Sequence, residues 1–167
     1  MTIVSADLIA IFDVSSDLVS LEWLRDAIEA DSHFAEDIIA LYREHWQPQT
    51  WAIDASERAL YGPGGFALRL KPRLLKLYHM MPFSRFAADS ELREMMRRSC
   101  RSLASLVGSD RVLFTHELMP IEGHNLAAIE SSLRARIGPP AADFEELSQA
   151  EYFGPHAWFL DCLSGEG

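Results

Sequence analysis

Apolar residues recur with a helical period near the N-terminal end of the sequence. A capped helix is predicted by a serine and the apolar residues that follow it, Ser20, Leu21, Leu24 and Ile28. A second helix, which opens at Asp31 or Ser32, is predicted by an apolar side formed by Phe34, Ile38, Leu41, Tyr42 and His45. Trp46–Pro48 ends this helix, so residues 1–47 are predicted to be mostly helical. The apolar run Ser5–Phe12 is too short to decide between strand and helix.

The middle of the chain changes to the pattern of strands. The segment Tyr61–Phe66 is rich in Gly and Pro and separates two apolar stretches, which predicts a hairpin. Phe66–Lys71 alternates between apolar and basic residues, and Pro72 ends this strand or places it at a sheet edge. A second apolar run extends from Leu74 to Met81. Residues 50–81 are therefore predicted to form strands connected by a hairpin.

The remaining elements alternate between helix and strand. A long amphipathic helix is predicted over 89–107, between a capping Asp89 and a terminating Gly108. Strands are predicted over 111–118 and 157–163, with a helix over 125–137 between them. This order, without a repeat or a low-complexity linker, predicts a single α+β domain over residues 1–167. We expect a mainly antiparallel sheet of about four or five strands, packed by several helices, with a helical N-terminal region.

Composition narrows the class of protein. The chain has 167 residues, of which 49 % are hydrophobic and 24 % charged, as in an ordinary globular protein. No Lys or Arg precedes Arg25, so we expect no secretory signal. Cys100 and Cys162 are too few for a disulfide framework, and we expect both to be small buried hydrophobic residues. These features predict a cytoplasmic protein that is not embedded in a membrane.

Charge is divided unevenly along the chain, whose formal net charge is −10. Residues 1–57 contain 12 acidic and 2 basic residues, and residues 112–167 contain 9 acidic and 2 basic residues. Residues 58–111 reverse this balance, with 4 acidic and 11 basic residues. The acidic total disfavours general nucleic-acid binding, whereas the basic middle segment is suited to an acidic partner or an anionic ligand.

Two groups of basic residues are candidates for an anion- or partner-binding site. Arg69, Lys71 and Arg73 would share one strand face if the strand continued through Pro72. A second group, Arg93, Arg97 and Arg101, lies at i, i+4 and i+8 on the long predicted helix. Arginine is well suited to bidentate recognition of carboxylate or phosphate. The alternative is that these bases form a solvated surface, partly paired with the acidic flanks.

No complete catalytic motif is present. His116 and Glu117 are followed by His124 only after Pro120, and on a strand the first two would point to opposite faces, so we expect no metal site. No nucleophile elbow, phosphate-binding loop or dinucleotide fingerprint occurs, and no cofactor is predicted.

Two classes of function remain. We favour a non-catalytic binding protein, such as an inhibitor, an adaptor or an immunity-type protein, which recognises another protein through its segregated charges. The alternative is a small hydrolase or transferase for an anionic substrate. In that case arginines of the middle segment would hold the substrate, and His116, Glu117 or His124 would transfer protons.

Overall fold

The computed structural model describes residues 6–44 and 49–163. Within them, seven strands form one antiparallel sheet in the order β2-β3-β4-β5-β1-β6-β7. The strands are β1 (Asp7–Asp13), β2 (Ala52–Asp54), β3 (Ala59–Tyr61), β4 (Phe66–Leu70), β5 (Leu74–Pro82), β6 (Arg111–His116) and β7 (Phe159–Cys162). The helices are α1 (Leu21–Ala30), α2 (Glu36–Leu41), α3 (Phe83–Ala88), α4 (Ser90–Val107), α5 (Leu126–Arg136) and α6 (Phe144–Gln149). The predicted α+β class with a mainly antiparallel sheet is confirmed.

The sheet has more strands than predicted, and one of them lies in the N-terminal region expected to be mostly helical. β1 is an interior strand of the sheet, paired with both β5 and β6. Its residues Leu8–Phe12 are buried because both faces of the sheet are covered at this position. β2 and β3 have three residues each, too few to show a period in the sequence. The predicted helix end at Trp46–Pro48 lies outside the described residues.

Most helices pack on one face of the sheet, called here the helix-rich face. α1, α2, α3, α4 and α6 place buried apolar side chains against strand residues such as Phe12, Leu68 and Leu77. α4 contributes the longest apolar side, which includes Leu92, Met96, Cys100, Leu103 and Val107. This helix begins where the Asp89 carboxylate accepts a hydrogen bond from Leu92 N, at 3.1 Å. It ends at Gly108, whose φ of 77° is the left-handed conformation that glycine adopts without strain.

α5 packs on the opposite face, called here the α5 face, and covers only part of it. Its residues Leu126, Ile129 and Leu133 lie in a second core with apolar residues of the sheet, including Ile9 and Ile11. Ala67 and Arg69 on β4 and Lys76 and Tyr78 on β5 point to the same face and are only half buried. A partly exposed strip of sheet therefore lies beside α5. No helix among the described residues is long and apolar enough to cross a membrane.

Candidate functional site

Four basic residues cluster on and beside the exposed strip of the α5 face. Arg69 on β4 lies directly opposite Lys76 on β5 in the register of the sheet. Their neighbours Leu68 and Leu77 enter the core of the helix-rich face, so the pleat directs the two basic side chains to the other face. Lys71 and Arg73 lie on the turn that connects these strands. We call Arg69, Lys71, Arg73 and Lys76 the basic surface.

The turn changes the arrangement predicted from the sequence. β4 ends at Leu70, and the chain reverses between Lys71 and Leu74. Lys71 N donates to the Leu74 carbonyl at 2.8 Å, and Leu74 N donates to the Lys71 carbonyl at 3.4 Å. The strand therefore does not continue through Pro72, and Arg73 does not share a strand face with Arg69. The structure nevertheless keeps the three predicted residues on one hairpin.

Lys76 has the least favourable electrostatic environment of the four. Burial lowers the pKa of Lys76 below its ordinary value, and the positive charges of Lys71 and Arg69 lower this pKa further. Among the described residues, neither Lys71 nor Lys76 forms an ion pair. The burial of Lys76 and its repulsion by Lys71 are thus not offset by an ion pair at either lysine.

The other two members have weak, exposed partners. Arg69 Nη1 lies 3.4 Å from a carboxylate oxygen of Glu57, and its guanidinium lies 5.9 Å from the ring centroid of Tyr78. Arg73 Nη2 lies 3.7 Å from a carboxylate oxygen of Asp17. Exposed ion pairs of this kind contribute between zero and about 1 kcal/mol. Both arginines can therefore exchange these partners for another anion at little cost.

A pocket opens beside the turn. It has a volume of about 330 Å³ and lies between the turn and the loop that leads into α5. Lys71, Arg73 and Lys76 line one side, and Ile121, Gly123 and His124 line the other. We call it the turn pocket. His124, which the sequence suggested only as a possible proton-transfer group, thus lies beside three members of the basic surface.

Arg97 has a different role from that of the basic surface. Its Nε and Nη2 donate to the two carboxylate oxygens of Asp161 on β7, at 2.8 and 3.0 Å. Its Nη1 donates to Glu94 at 2.8 Å. The Arg97 and Asp161 side chains are only 15 % and 7 % exposed. The hydrogen bonds that Arg97 donates to Asp161 raise the pKa of Arg97 above its ordinary value, so this guanidinium is engaged within the chain.

Arg93 and Arg101 complete the second predicted group on α4. Arg93 donates to the Ala87 carbonyl at 2.8 Å, and its guanidinium lies 4.2 Å from the ring centroid of Phe144. Arg101 is half buried. Because α4 packs on the helix-rich face, the two predicted groups lie on opposite sides of the sheet. Arg97 is engaged by Asp161, whereas Arg69, Lys71 and Arg73 lie on the exposed strip or on its turn.

The histidines and carboxylates expected for a dispersed active site are not brought together. His116 is buried on the helix-rich face, where its Nε2 donates to the Tyr152 carbonyl at 2.6 Å. Glu117 accepts a hydrogen bond from Asp7 N and is exposed. Neither His116 nor His124 forms a hydrogen bond with a carboxylate within residues 6–44 and 49–163. The same residues contain no group of three His, Cys, Asp or Glu side chains able to hold a metal ion.

The cysteines differ from each other. Cys100 is buried on α4, and burial raises the pKa of its thiol far above the usual range, which keeps it protonated and unreactive. Cys162 is exposed, so the expectation that it would be a buried hydrophobic residue is wrong. It follows the buried Asp161 on β7, and the alternation of the strand turns its side chain outward.

The sequence reasoning missed Lys76. This lysine interrupts the apolar run Leu74–Met81, and a charged residue inside such a run is a detectable signal. The sequence alone does not show that Lys76 lies opposite Arg69, because this pairing depends on the register of the hairpin. A charge at an alternating position of an otherwise apolar strand marks the face that the core does not use.

The chain was also compared with protein-family models, with curated proteins and with solved structures, and no match was found in any of the three. Inferences about the function of this chain therefore rest on the geometry of the basic surface.

Proposed function

We propose that this chain is a non-catalytic, cytoplasmic binding protein that recognises an acidic region of another protein through the basic surface. The observation that carries the proposal is the pairing of Arg69 with Lys76 across neighbouring strands. Like charges directly opposite each other in a sheet destabilise the fold. Here the repulsion acts on a half-buried lysine, which an acidic partner would stabilise.

A shortage of acidic residues does not explain the arrangement. The chain contains 25 acidic and 15 basic residues, and several bases elsewhere in the fold have close carboxylate partners. Arg97, Arg111 and Arg136 each have a carboxylate oxygen within 2.8 Å. Lys76 combines the absence of such a partner, within the described residues, with half-burial opposite Arg69, and this combination is a local feature of the hairpin. Local violations of the folding rules of this kind are typical of functional sites.

A protein partner accounts for more of the surface than a nucleic acid does. The net charge of −10 repels an extended polyanion, whereas a short acidic patch would meet only the basic surface. Tyr78 lies next to Arg69 and is half exposed, and Tyr and Arg are the residue types that dominate binding at protein interfaces. Charge complementarity would also speed and orient the encounter.

The alternative function, a small hydrolase or transferase for an anionic substrate, would use the same cations. His124 lines the turn pocket beside Lys71, Arg73 and Lys76, which is the one observation in its favour. General acid–base catalysis also needs a group that orients the histidine and sets its proton affinity. Within the described residues, His124 has no such hydrogen bond. We therefore place binding ahead of catalysis.

The proposal can be tested with a fluorescent peptide of ten glutamates, followed by anisotropy at several salt concentrations. We expect saturable binding that weakens as salt rises. Lys71→Glu, on the exposed turn, is expected to weaken this binding about tenfold or more. Arg98→Glu is the matched control, because Arg98 is exposed on the helix-rich face and pairs with Asp37 at 2.7 Å. We expect it to change the affinity less than about twofold.

Three results would contradict the proposal. The first is no saturable binding at low salt, which would mean that the basic surface does not dock acidic peptides. The second is an equal loss in both variants, because only the overall charge would then matter. The third is equally tight binding of a ten-nucleotide single-stranded DNA, which would indicate a nucleic-acid partner. A partner captured from native cytosol and identified by mass spectrometry should be retained by Arg98→Glu and lost by Lys71→Glu.

A further inference from the structure

The turn pocket has the features of a site for a single compact anion. Lys71, Arg73 and Lys76 line one side of it, and His124 lines the other. We infer that the turn pocket binds one phosphate-type oxyanion, supplied either by a free phosphate compound or by a phosphorylated side chain of the acidic partner. This inference rests on the proposed function, because the pocket forms one end of the basic surface.

The acidic residues near the pocket are engaged elsewhere. The Asp13 carboxylate accepts a hydrogen bond from Leu126 N at 2.8 Å, at the start of α5. Glu122 belongs to the pocket loop, but its carboxylate lies 2.7 Å from Arg136 Nη1. Asp17 reaches Arg73 only at 3.7 Å. No acidic residue lines the pocket, so its positive charge is available to an incoming anion.

The wall of the pocket opposite the turn is held in place by α5. Gly123 has a φ of 147°, and a Cβ atom there would lie 2.8 Å from Ile129 N. Only glycine therefore lets the loop approach the helix this closely. The Asn125 side chain accepts a hydrogen bond from Ala128 N at 2.8 Å and caps α5. These contacts fix the backbone of the loop on either side of His124 relative to α5 before any ligand binds.

A phosphate group matches this charge better than a carboxylate does. A phosphate monoester carries a charge of about −1.5 to −2 near neutral pH and offers three acceptor oxygens. It can therefore neutralise more of the charge of Lys71, Arg73 and Lys76 than one carboxylate can. The half-buried ammonium of Lys76 can donate up to three hydrogen bonds, and a phosphate has enough oxygens to accept them alongside the other cations.

The test follows the backbone amide signals of Gly123 and His124 by NMR during three titrations. The probes are inorganic phosphate, a phosphoserine peptide with acidic flanks, and the same peptide with serine. We expect saturable shifts with the phosphoserine peptide and a much smaller response to the serine peptide. A saturable response to inorganic phosphate as well would identify free phosphate as a sufficient ligand. A response to the phosphopeptide alone would assign the phosphate to the partner.

Two variants separate this inference from the proposed function. His124→Gln, in an exposed loop, is expected to weaken phosphopeptide binding about tenfold and to leave the glutamate peptide nearly unaffected. Arg69→Gln is expected to weaken binding of the glutamate peptide more than binding of the phosphoserine peptide, because Arg69 belongs to the basic surface but does not line the pocket. Lys76→Gln should weaken binding of both peptides.

The inference is overturned if no phosphate probe shifts the two amides, or if the serine and phosphoserine peptides bind with equal affinity. It is also overturned if His124→Gln and Lys76→Gln, each with an unchanged fold by NMR, bind the phosphopeptide as the parent chain does. In each of these cases the proposed function would still stand if the glutamate peptide bound saturably and if Arg69→Gln weakened that binding.

Discussion

Arg97 links α4 to β7 through two hydrogen bonds to the nearly buried carboxylate of Asp161. Removing one partner of such a pair leaves the other charge buried without compensation. We therefore expect Arg97→Met to lower the free energy of unfolding by about 3 kcal/mol or more. The double variant Arg97→Met with Asp161→Leu is expected to recover most of this loss, because neither buried charge remains. Urea denaturation of the parent chain, both single variants and the double variant measures the coupling.

The exposed pair of Arg98 with Asp37 provides the matched control for Arg97. Its N–O distance of 2.7 Å is as short as those of Arg97, but more than half of each side chain is exposed. Arg98→Ala is expected to cost less than about 1 kcal/mol, because water replaces the lost partner. A loss at Arg97 no larger than that at Arg98 would show that the Arg97–Asp161 pair is not a structural link.

Lys76 is expected to reduce the stability of the sheet. It lies opposite Arg69, is half buried and has no acidic partner among the described residues. Lys76→Thr removes the repulsion and places a β-branched residue on a strand. We expect a gain of about 0.2–1 kcal/mol in the free energy of unfolding, together with weaker binding of acidic peptides. A loss of stability on this substitution would mean that the lysine stem contributes more by packing than its charge costs.

His116 makes the stability of the fold depend on pH. Burial lowers its pKa, although the hydrogen bond to the Tyr152 carbonyl and the charge of Glu117 act in the opposite direction. The unfolded chain therefore binds a proton at this histidine more readily than the folded protein does. Stability is expected to fall as pH drops below the ordinary histidine pKa of about 6.5, by at most about 1.4 kcal/mol per pH unit.

The measurement for His116 is urea denaturation between about pH 5 and pH 7.5, spanning the ordinary histidine pKa. His116→Gln keeps a side-chain donor for the Tyr152 carbonyl and removes the titration. Subtracting the stability curve of the variant from that of the parent chain leaves the contribution of His116 alone. It removes the contribution of His33, whose pKa is raised by its hydrogen bond to Glu36. Parallel pH curves for the two chains would show that His116 does not titrate differently in the folded state.

At the scale of secondary-structure elements, α4 is expected to be the main apolar support of the helix-rich face. Leu103 is fully buried in the core that α4 shares with the sheet. Leu103→Ala is expected to cost about 2–5 kcal/mol through lost apolar burial and the cavity that remains. Ser102→Ala, on the exposed side of the same helix, should change stability by less than about 0.5 kcal/mol. Chemical denaturation compares the two, and a similar small effect at both positions would contradict this role for α4.

The elements that sequence reasoning identified best carry their own boundary signals. α4 has a long apolar side between its capping residues Asp89 and Gly108, and Asn125 caps the start of α5. Residues near each helix end therefore specify where both helices begin. β1 carries no such signal. Its apolar run is short and continuous because both sides of the strand are buried, which removes the alternation that identifies a strand. A pairing with distant strands decides its conformation.

At the scale of the whole molecule, the sequence shows that charge is segregated but not which bases remain accessible. In the sequence, Arg69 lies in an alternating strand pattern and Arg97 in an amphipathic helix pattern. Neither pattern shows whether the arginine has an acidic partner. The fold places Arg97 next to Asp161, 64 positions further along the chain, and leaves Arg69 on the exposed strip. Burial against a distant carboxylate is a tertiary property. The candidate site was therefore only partly predictable.

The interior position of β1, between two strands from later in the chain, has a consequence for synthesis on the ribosome. β1 is made first, but its partners are β5 and β6, which begin at Leu74 and Arg111. Until these segments leave the exit tunnel, the apolar residues Leu8–Phe12 have no sheet to enter. Such late, non-local pairing slows folding and leaves apolar surface exposed in the meantime. We therefore expect the apolar β1 segment of the nascent chain to stay unpaired until both β5 and β6 have been synthesised.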